Sequence, residues 1–291
     1  MRQEMNFWVI GGDMRQRKLA ELLRADCHTV HTFALERDQD PGEVPGEESL
    51  AGAELAHCVV LPLPLTADDE YLLNTPLSAS PLPLSRVLDA LRPGQVVCAG
   101  RVTSRAAILA AERNLTLYDY FAREELAVAN SIPTVEGAIQ IAMEELPITL
   151  HSARVLVIGW GRLGKLLAYR ISSLGARVSV SARKYADLAW AKAYGYGTEH
   201  TEHLEGWLCN YDLVINTVPS RILNARLLAD LSPGCLVIDL ASRPGGVDLE
   251  AAKSIGTRVI WALSLPGKVA PVSAGKYIKD TIYNILEEAG L

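Results

Sequence analysis

A chain of 291 residues is long for one hydrophobic core and sufficient for two, each able to bury apolar surface of its own. Its 49% hydrophobic and 21% charged residues describe a well-packed globular protein and exclude a disordered or fibrous one. A formal net charge of -6 argues against affinity gained by neutralising the phosphates of a nucleic acid, so no nucleic-acid partner is expected.

The N-terminus MRQEMNFWVIGGD lacks the apolar segment and small-residue cleavage site of a secretion signal, and no apolar run reaches membrane-spanning length; a cytoplasmic protein without a membrane partner is expected. Cys27, Cys58, Cys98, Cys209 and Cys235 are scattered without a CxxC pair, and the six histidines show no metal-binding spacing. The expectation is free thiols in a reducing compartment and no metal.

In chain order, short apolar runs at 6–12, 28–34, 57–64, 95–100 and 115–120 read as buried strands, and helical spacing over 15–25, 84–91 and 103–114 separates most of them. This is the alternation of a parallel α/β sheet. The acidic, Pro- and Gly-rich stretch 36–48 and the Pro-containing stretch 65–83 read as loops. VEGAIQIAMEEL at 135–146 follows Pro133, ends at Pro147, and reads as a helix bridging two domains. A second alternation follows, with strands at 154–159, 177–182, 211–219, 235–241 and 257–263. The expected architecture is α/β, two Rossmann-like doubly wound parallel-sheet domains with an interdomain cleft. The expected domains are 1–130 for substrate or partner, a bridging helix at 131–150, and a dinucleotide-binding domain at 151–272. The amphipathic helix 273–291 is expected to return to the first domain.

Gly159-Trp160-Gly161-Arg162-Leu163-Gly164 fits G-x-G-x-x-G between an apolar strand and a helix, which is the context that gives the pattern meaning. Gly159 permits a tight turn, Gly161 lets backbone N–H groups approach a pyrophosphate at the helix N-terminus, and Gly164 allows close packing of helix on strand. Arg162 and Leu163 join them as candidate cofactor contacts. The alternative is a glycine-rich turn in an empty domain of the same type. An NAD site usually carries a carboxylate at the end of the next strand to accept from the ribose 2′-OH. Here that strand ends in Ser181-Ala182-Arg183-Lys184. Ser181, Arg183 and Lys184 suit a 2′-phosphate, so NADP is the expected cofactor and NAD the alternative, unless the two cations are merely solvated. Asn216-Thr217-Val218-Pro219 ends a later strand and borders the expected nicotinamide half, or is an Asn-initiated turn. Leu240 and Ala241 end the next strand at the same edge.

VIGGDMRQ, NSIPTVEGAIQIAMEELPITLHSARVLVIGWGRLGK, VINTVPSRIL, VIDLASRPGGVD and LPGKVAPVSAG, spread over nearly the whole chain, resemble the A subunit of bacterial dipicolinate synthase. The resemblance implies an NADP-dependent oxidoreductase subunit that works with a flavoprotein-like B subunit. It implies oxidation of dihydrodipicolinate, from the diaminopimelate and lysine route, to dipicolinate for endospores in the mother cell. After LPGKVAP many relatives continue with Lys-Thr where this chain has Val272-Ser273, which puts a substrate role for that lysine in doubt.

A ring with two carboxylates needs cations or polar groups to hold it. Candidates are Arg15, Asn130, Ser131, Thr134 and Lys268. The competing readings are a surface cation for Arg15, caps of the bridging helix for Asn130, Ser131 and Thr134, and loop solvation for Lys268. Asp13 is either a base or, better, a helix cap, and no general base is assigned. Two other readings stand: an NADP dehydrogenase of shikimate or methylenetetrahydrofolate type, suggested by INTVP, and a non-catalytic NADP-binding regulatory subunit. A homo-oligomer is compatible with all of them.

Overall fold

A computed structural model describes residues 4–37, 44, 46–67 and 70–291. Most of the acidic loop read at 36–48 lies outside the described residues. The chain divides into two compact units, Met1–Asn130 with Ala270–Leu291, and Ser131–Val269.

In the first unit β1 (Asn6–Ile10), α1 (Met14–Ala25), β2 (Thr29–Phe33), β3 (Cys58–Val60), α2 (Leu84–Asp89), β4 (Val96–Ala99), α3 (Ser104–Ala111), β5 (Thr116–Asp119) and α4 (Glu124–Ala129) alternate. The strands pair in parallel in the order β2-β1-β3-β4-β5. Parallel strands are covered on both faces, which is why Phe7, Trp8, Val9 and Ile10 are all buried in one unbroken apolar run.

The second unit contains α5 (Ser131–Glu145), β6 (Arg154–Ile158), α6 (Arg162–Ser173), β7 (Arg177–Ala182), α7 (Tyr185–Ala193), β8 (Gly197–His200), β9 (Leu213–Asn216), α8 (Ala225–Ala229), β10 (Leu236–Asp239), α9 (Leu249–Ile255), β11 (Arg258–Trp261) and α10 (Leu265–Val269). Its parallel sheet runs β11-β10-β9-β6-β7-β8. Counted from β6 this is the doubly wound order 3-2-1-4-5-6, whose direction reverses between β6 and β9. Ligands meet such sheets outside the carboxyl ends at that reversal.

One expectation needs correction. The stretch 131–150 is no free-standing bridge: Val135, Ala138 and Ala142 of α5 lie in one core with Val155, Val157, Leu167 and Ile171, so it belongs to the second unit, which begins at 131 rather than 151. At the other edge of this sheet β8 pairs in parallel with β7.

The final helix, α11 (Pro271–Glu288), packs on α1. A Cβ at Gly275 would meet the Arg15 carbonyl oxygen at 2.8 Å and Leu19 N at 3.0 Å, so glycine permits this close approach. Ile278, Ile282, Ile285 and Leu286 fill the same core as Leu19 and Leu23. Asp26, at the end of α1, accepts from Lys279 Nζ and, at 2.8 Å, from Tyr283 Oη. Burial raises its carboxyl, but these two hydrogen bonds outweigh burial and hold it below the usual carboxylate range.

Candidate functional site

The glycine turn closes the carboxyl end of β6. Gly159 has φ +107°, a backbone conformation that favours glycine, and a Cβ there would meet Thr217 Oγ1 at 2.3 Å. A Cβ on Gly164 would meet the Gly159 carbonyl oxygen at 2.0 Å, so α6 lies directly against the turn. Gly161 differs: among the described residues nothing stands within 4 Å of a Cβ there, and no side chain caps the first N–H groups of α6. The positive end of a 12-residue helix is therefore left without a side-chain cap beside open space at Gly161. This arrangement suits the pyrophosphate of a dinucleotide. Arg162 is exposed on the first turn and Leu163 packs partly against the core. Trp160 points inward: it is 7% exposed and sits near the rings of Tyr194 and Tyr196.

Across the reversal point, Thr217 ties β9 to the turn by donating from both Oγ1 (2.8 Å) and N (2.9 Å) to the Ile158 carbonyl. Asn216 is fully buried, and its amide donates to the Val218 carbonyl and to Asp239 Oδ1 at 2.8 Å. Asp239, 1% exposed, also accepts from Ala241 N (3.1 Å) and Gly246 N (2.8 Å). The buried carboxylate thus fixes the whole 239–246 loop, and Trp261 Nε1 braces it by donating to the Ala241 carbonyl at 2.8 Å. Asn216 acts on this rim from within, while Thr217, Val218 and Pro219 continue toward its surface. Leu240 and Ala241 are buried beneath it.

At the end of β7, Arg183 and Lys184 are exposed, and neither forms an ion pair among the described residues. Ser181 departs from expectation. It is fully buried, with Oγ 2.8 Å from Thr201 Oγ1, so its hydroxyl serves the junction of β7 with β8 rather than a ligand. His200 Nε2 lies 2.9 Å from the Arg183 carbonyl, and its ring stacks on Tyr185. β8, whose four residues read GTEH, has no apolar signature, so the contacts that His200 and Thr201 make with the end of β7 were not legible in the sequence.

In the first unit Asp13 caps α1, accepting from Arg15 N, and Gln16 completes the capping box. Arg15 is buried and engaged: Nε and Nη2 donate to the Asp13 carboxylate and Nη2 to the Leu63 carbonyl. Arg15 is thereby a fixed part of the β1–α1 turn and not the surface cation of the competing reading. Asn130 ends α4, buried Ser131 begins α5, and Thr134 follows in its first turn. Lys268 lies exposed in α10 without an ion pair among the described residues. Tyr120 is fully buried and donates to the Leu61 carbonyl at 2.9 Å; burial pushes its phenol far up, so it stays protonated. No helix among the described residues is long and apolar enough to cross a membrane.

A doubly wound parallel sheet with an open, glycine-lined helix N-terminus at its reversal point is the arrangement of a dinucleotide-binding domain. Residues 105–253 match the family model for the NAD-binding domain of D-isomer specific 2-hydroxyacid dehydrogenases, and residues 6–121 match that for the N-terminal domain of the dipicolinate synthase A subunit. The dipicolinate synthase A subunit of Bacillus subtilis (strain 168) is 35% identical over 291 aligned residues, covering 96% of this chain and 95% of the relative. The crystal structure of the Bacillus subtilis protein superimposes with a TM-score of 0.86 at 32% identity, covering 99% of this chain and 97% of that one. The corresponding protein from Bacillus halodurans gives 0.86 at 30% identity, covering 97% of each chain. A transhydrogenase from Sinorhizobium meliloti, at 19% identity and a TM-score of 0.70 over 97% of this chain and 94% of that one, shares the fold. The chain belongs to the family of dipicolinate synthase A subunits, and it is an NAD(P)-dependent oxidoreductase subunit.

Proposed function

We propose that this chain oxidises dihydrodipicolinate to dipicolinate with NADP, together with a flavoprotein-like B chain, in support of endospore formation. Removing a hydride from an sp³ ring carbon and a proton from its neighbour makes the ring aromatic, so aromatisation supplies the driving force. A nicotinamide bound here would accept the hydride. The chain's own work is to hold and orient. The open α6 N-terminus seats the pyrophosphate, and the loop locked by Asp239 and Asn216 gives the rim of β9 and β10 a fixed shape.

The choice of NADP rests on one observation: β7 ends without a carboxylate and with two exposed cations, Arg183 and Lys184, that form no ion pair among the described residues. A carboxylate there would repel a 2′-phosphate, whereas a guanidinium offers it a two-pronged donor. Purified A and B chains, assayed alone and together for the ultraviolet absorbance of dipicolinate, test the reaction; turnover of dihydrodipicolinate with NADP is expected. Calorimetry with both dinucleotides tests the cofactor. NADP should bind at least about tenfold more tightly than NAD, a difference of ~1.4 kcal/mol. Arg183→Ala should remove most of that difference. Equal affinities in the unaltered chain would reject the NADP assignment, and activity on shikimate alone would reject the reaction.

A further inference from the structure

We propose that Arg101 is the group of the first unit that grips a carboxylate of the substrate. The inference rests on the dicarboxylate reading of the substrate above and adds a residue to it. Ligands meet parallel sheets at the carboxyl ends of their strands, and β4 runs out there into Gly100-Arg101. Gly100 is closely enclosed: a Cβ would meet Tyr120 Cε2 at 2.7 Å and Leu63 Cβ at 2.8 Å. The next residue turns sharply outward. Arg101 has φ +58°, the left-handed region that an L side chain enters at a cost glycine avoids.

The conformation is held from outside. Asp119, at the end of β5, accepts from Arg101 N and Val102 N at 2.9 Å each, one oxygen to each N–H, and caps the following turn through Phe121 N at 2.8 Å. A residue kept in an unfavourable backbone region by a dedicated carboxylate is being aimed.

Charge accounting in the turns that follow β1 and β4 points to the same residue. Arg15 is engaged by Asp13 and the Leu63 carbonyl, and Arg105 lies 3.8 Å over the Tyr71 ring. Of the carboxylates, Asp13 is occupied by Arg15 and the α1 cap, and Asp119 by backbone N–H groups. The Arg101 side chain is exposed and has no ion pair, hydrogen bond or ring contact among the described residues. Its planar fork matches a carboxylate in two parallel hydrogen bonds.

The test titrates the full chain, with saturating NADP and with and without the B chain, against pyridine-2,6-dicarboxylate and pyridine-2-carboxylate. Arg101→Gly removes the fork and relieves the left-handed backbone, so it should melt above the unaltered protein while binding the dicarboxylate at least about tenfold more weakly. The preference for two carboxylates over one should shrink with it. Arg101→Lys keeps a charge without the fork and should fall between. NADP affinity should be unchanged in both. If the unaltered chain favours the dicarboxylate and both variants bind it equally well, Arg101 has no such role and the proposed reaction stands. If the unaltered chain binds neither acid in either preparation, the dicarboxylate reading itself fails, and this inference fails with it.

Discussion

Gly161 and Gly164 are both glycines of one fingerprint, yet their surroundings ask different things of them. Ala at 164 would drive its methyl into the Gly159 carbonyl, so Gly164→Ala should cost ~1–3 kcal/mol in denaturant unfolding. Ala at 161 finds free space and a permitted φ of −82°, so Gly161→Ala should change stability by less than ~0.5 kcal/mol. Its dinucleotide affinity should nevertheless fall at least about tenfold, because the methyl enters the space where phosphate would sit. Asp239 offers a third residue-scale case. Asp239→Ala takes one of two acceptors from the Asn216 amide and leaves two backbone N–H groups without theirs, and a loss of ~3 kcal/mol or more in unfolding free energy is expected. The glycines were legible because their chemistry is local and follows the strand that precedes them. The Asn216–Asp239 bond was not: it joins residues 23 apart in sequence through strand register alone. Ser181 misled for a related reason, since a hydroxyl at a strand end reads the same whether it faces a ligand or the neighbouring strand.

At the scale of elements, alternating apolar runs announced most strands because parallel strands are buried on both faces. β8 escaped, being an edge strand of mixed burial, and α5 was assigned a bridging role because helical spacing marks an apolar face without saying what covers it. The docking of α11 on α1 makes two predictions. Ile282→Ala empties a fully buried position and should destabilise the first unit by ~2–5 kcal/mol. The Asp26 contacts add a dependence on pH. Because the folded carboxyl lies below its ordinary value near ~3.9, its stabilising contribution is complete above that value and fades as the pH falls through the lowered one. Melts between pH 5 and 2, roughly the acid side of carboxylate titration, should therefore lose stability less steeply in Asp26→Asn than in the unaltered chain.

At the scale of the whole molecule, a dinucleotide that binds only the folded second unit stabilises it by mass action, by about 2.7 kcal/mol at a hundredfold excess over Kd. Hydrogen exchange with saturating NADP should show the added protection concentrated in β6, α6 and β7. Protection confined to the first unit would contradict the site described. The topology has one more effect, on the order in which the molecule is made. The first unit's sheet is translated early, yet Ile278, Ile282 and Leu286, which seal Leu19 and Leu23, come from the last 22 residues, 270–291. The intervening stretch of about 140 residues takes roughly 7–28 s at about 5–20 residues per second. A nascent chain thus carries an uncovered apolar helix face through that interval while the contiguous middle unit can close first, and a chain cut before Ile278 would keep the core of the second unit while leaving Leu19 and Leu23 of the first without their cover.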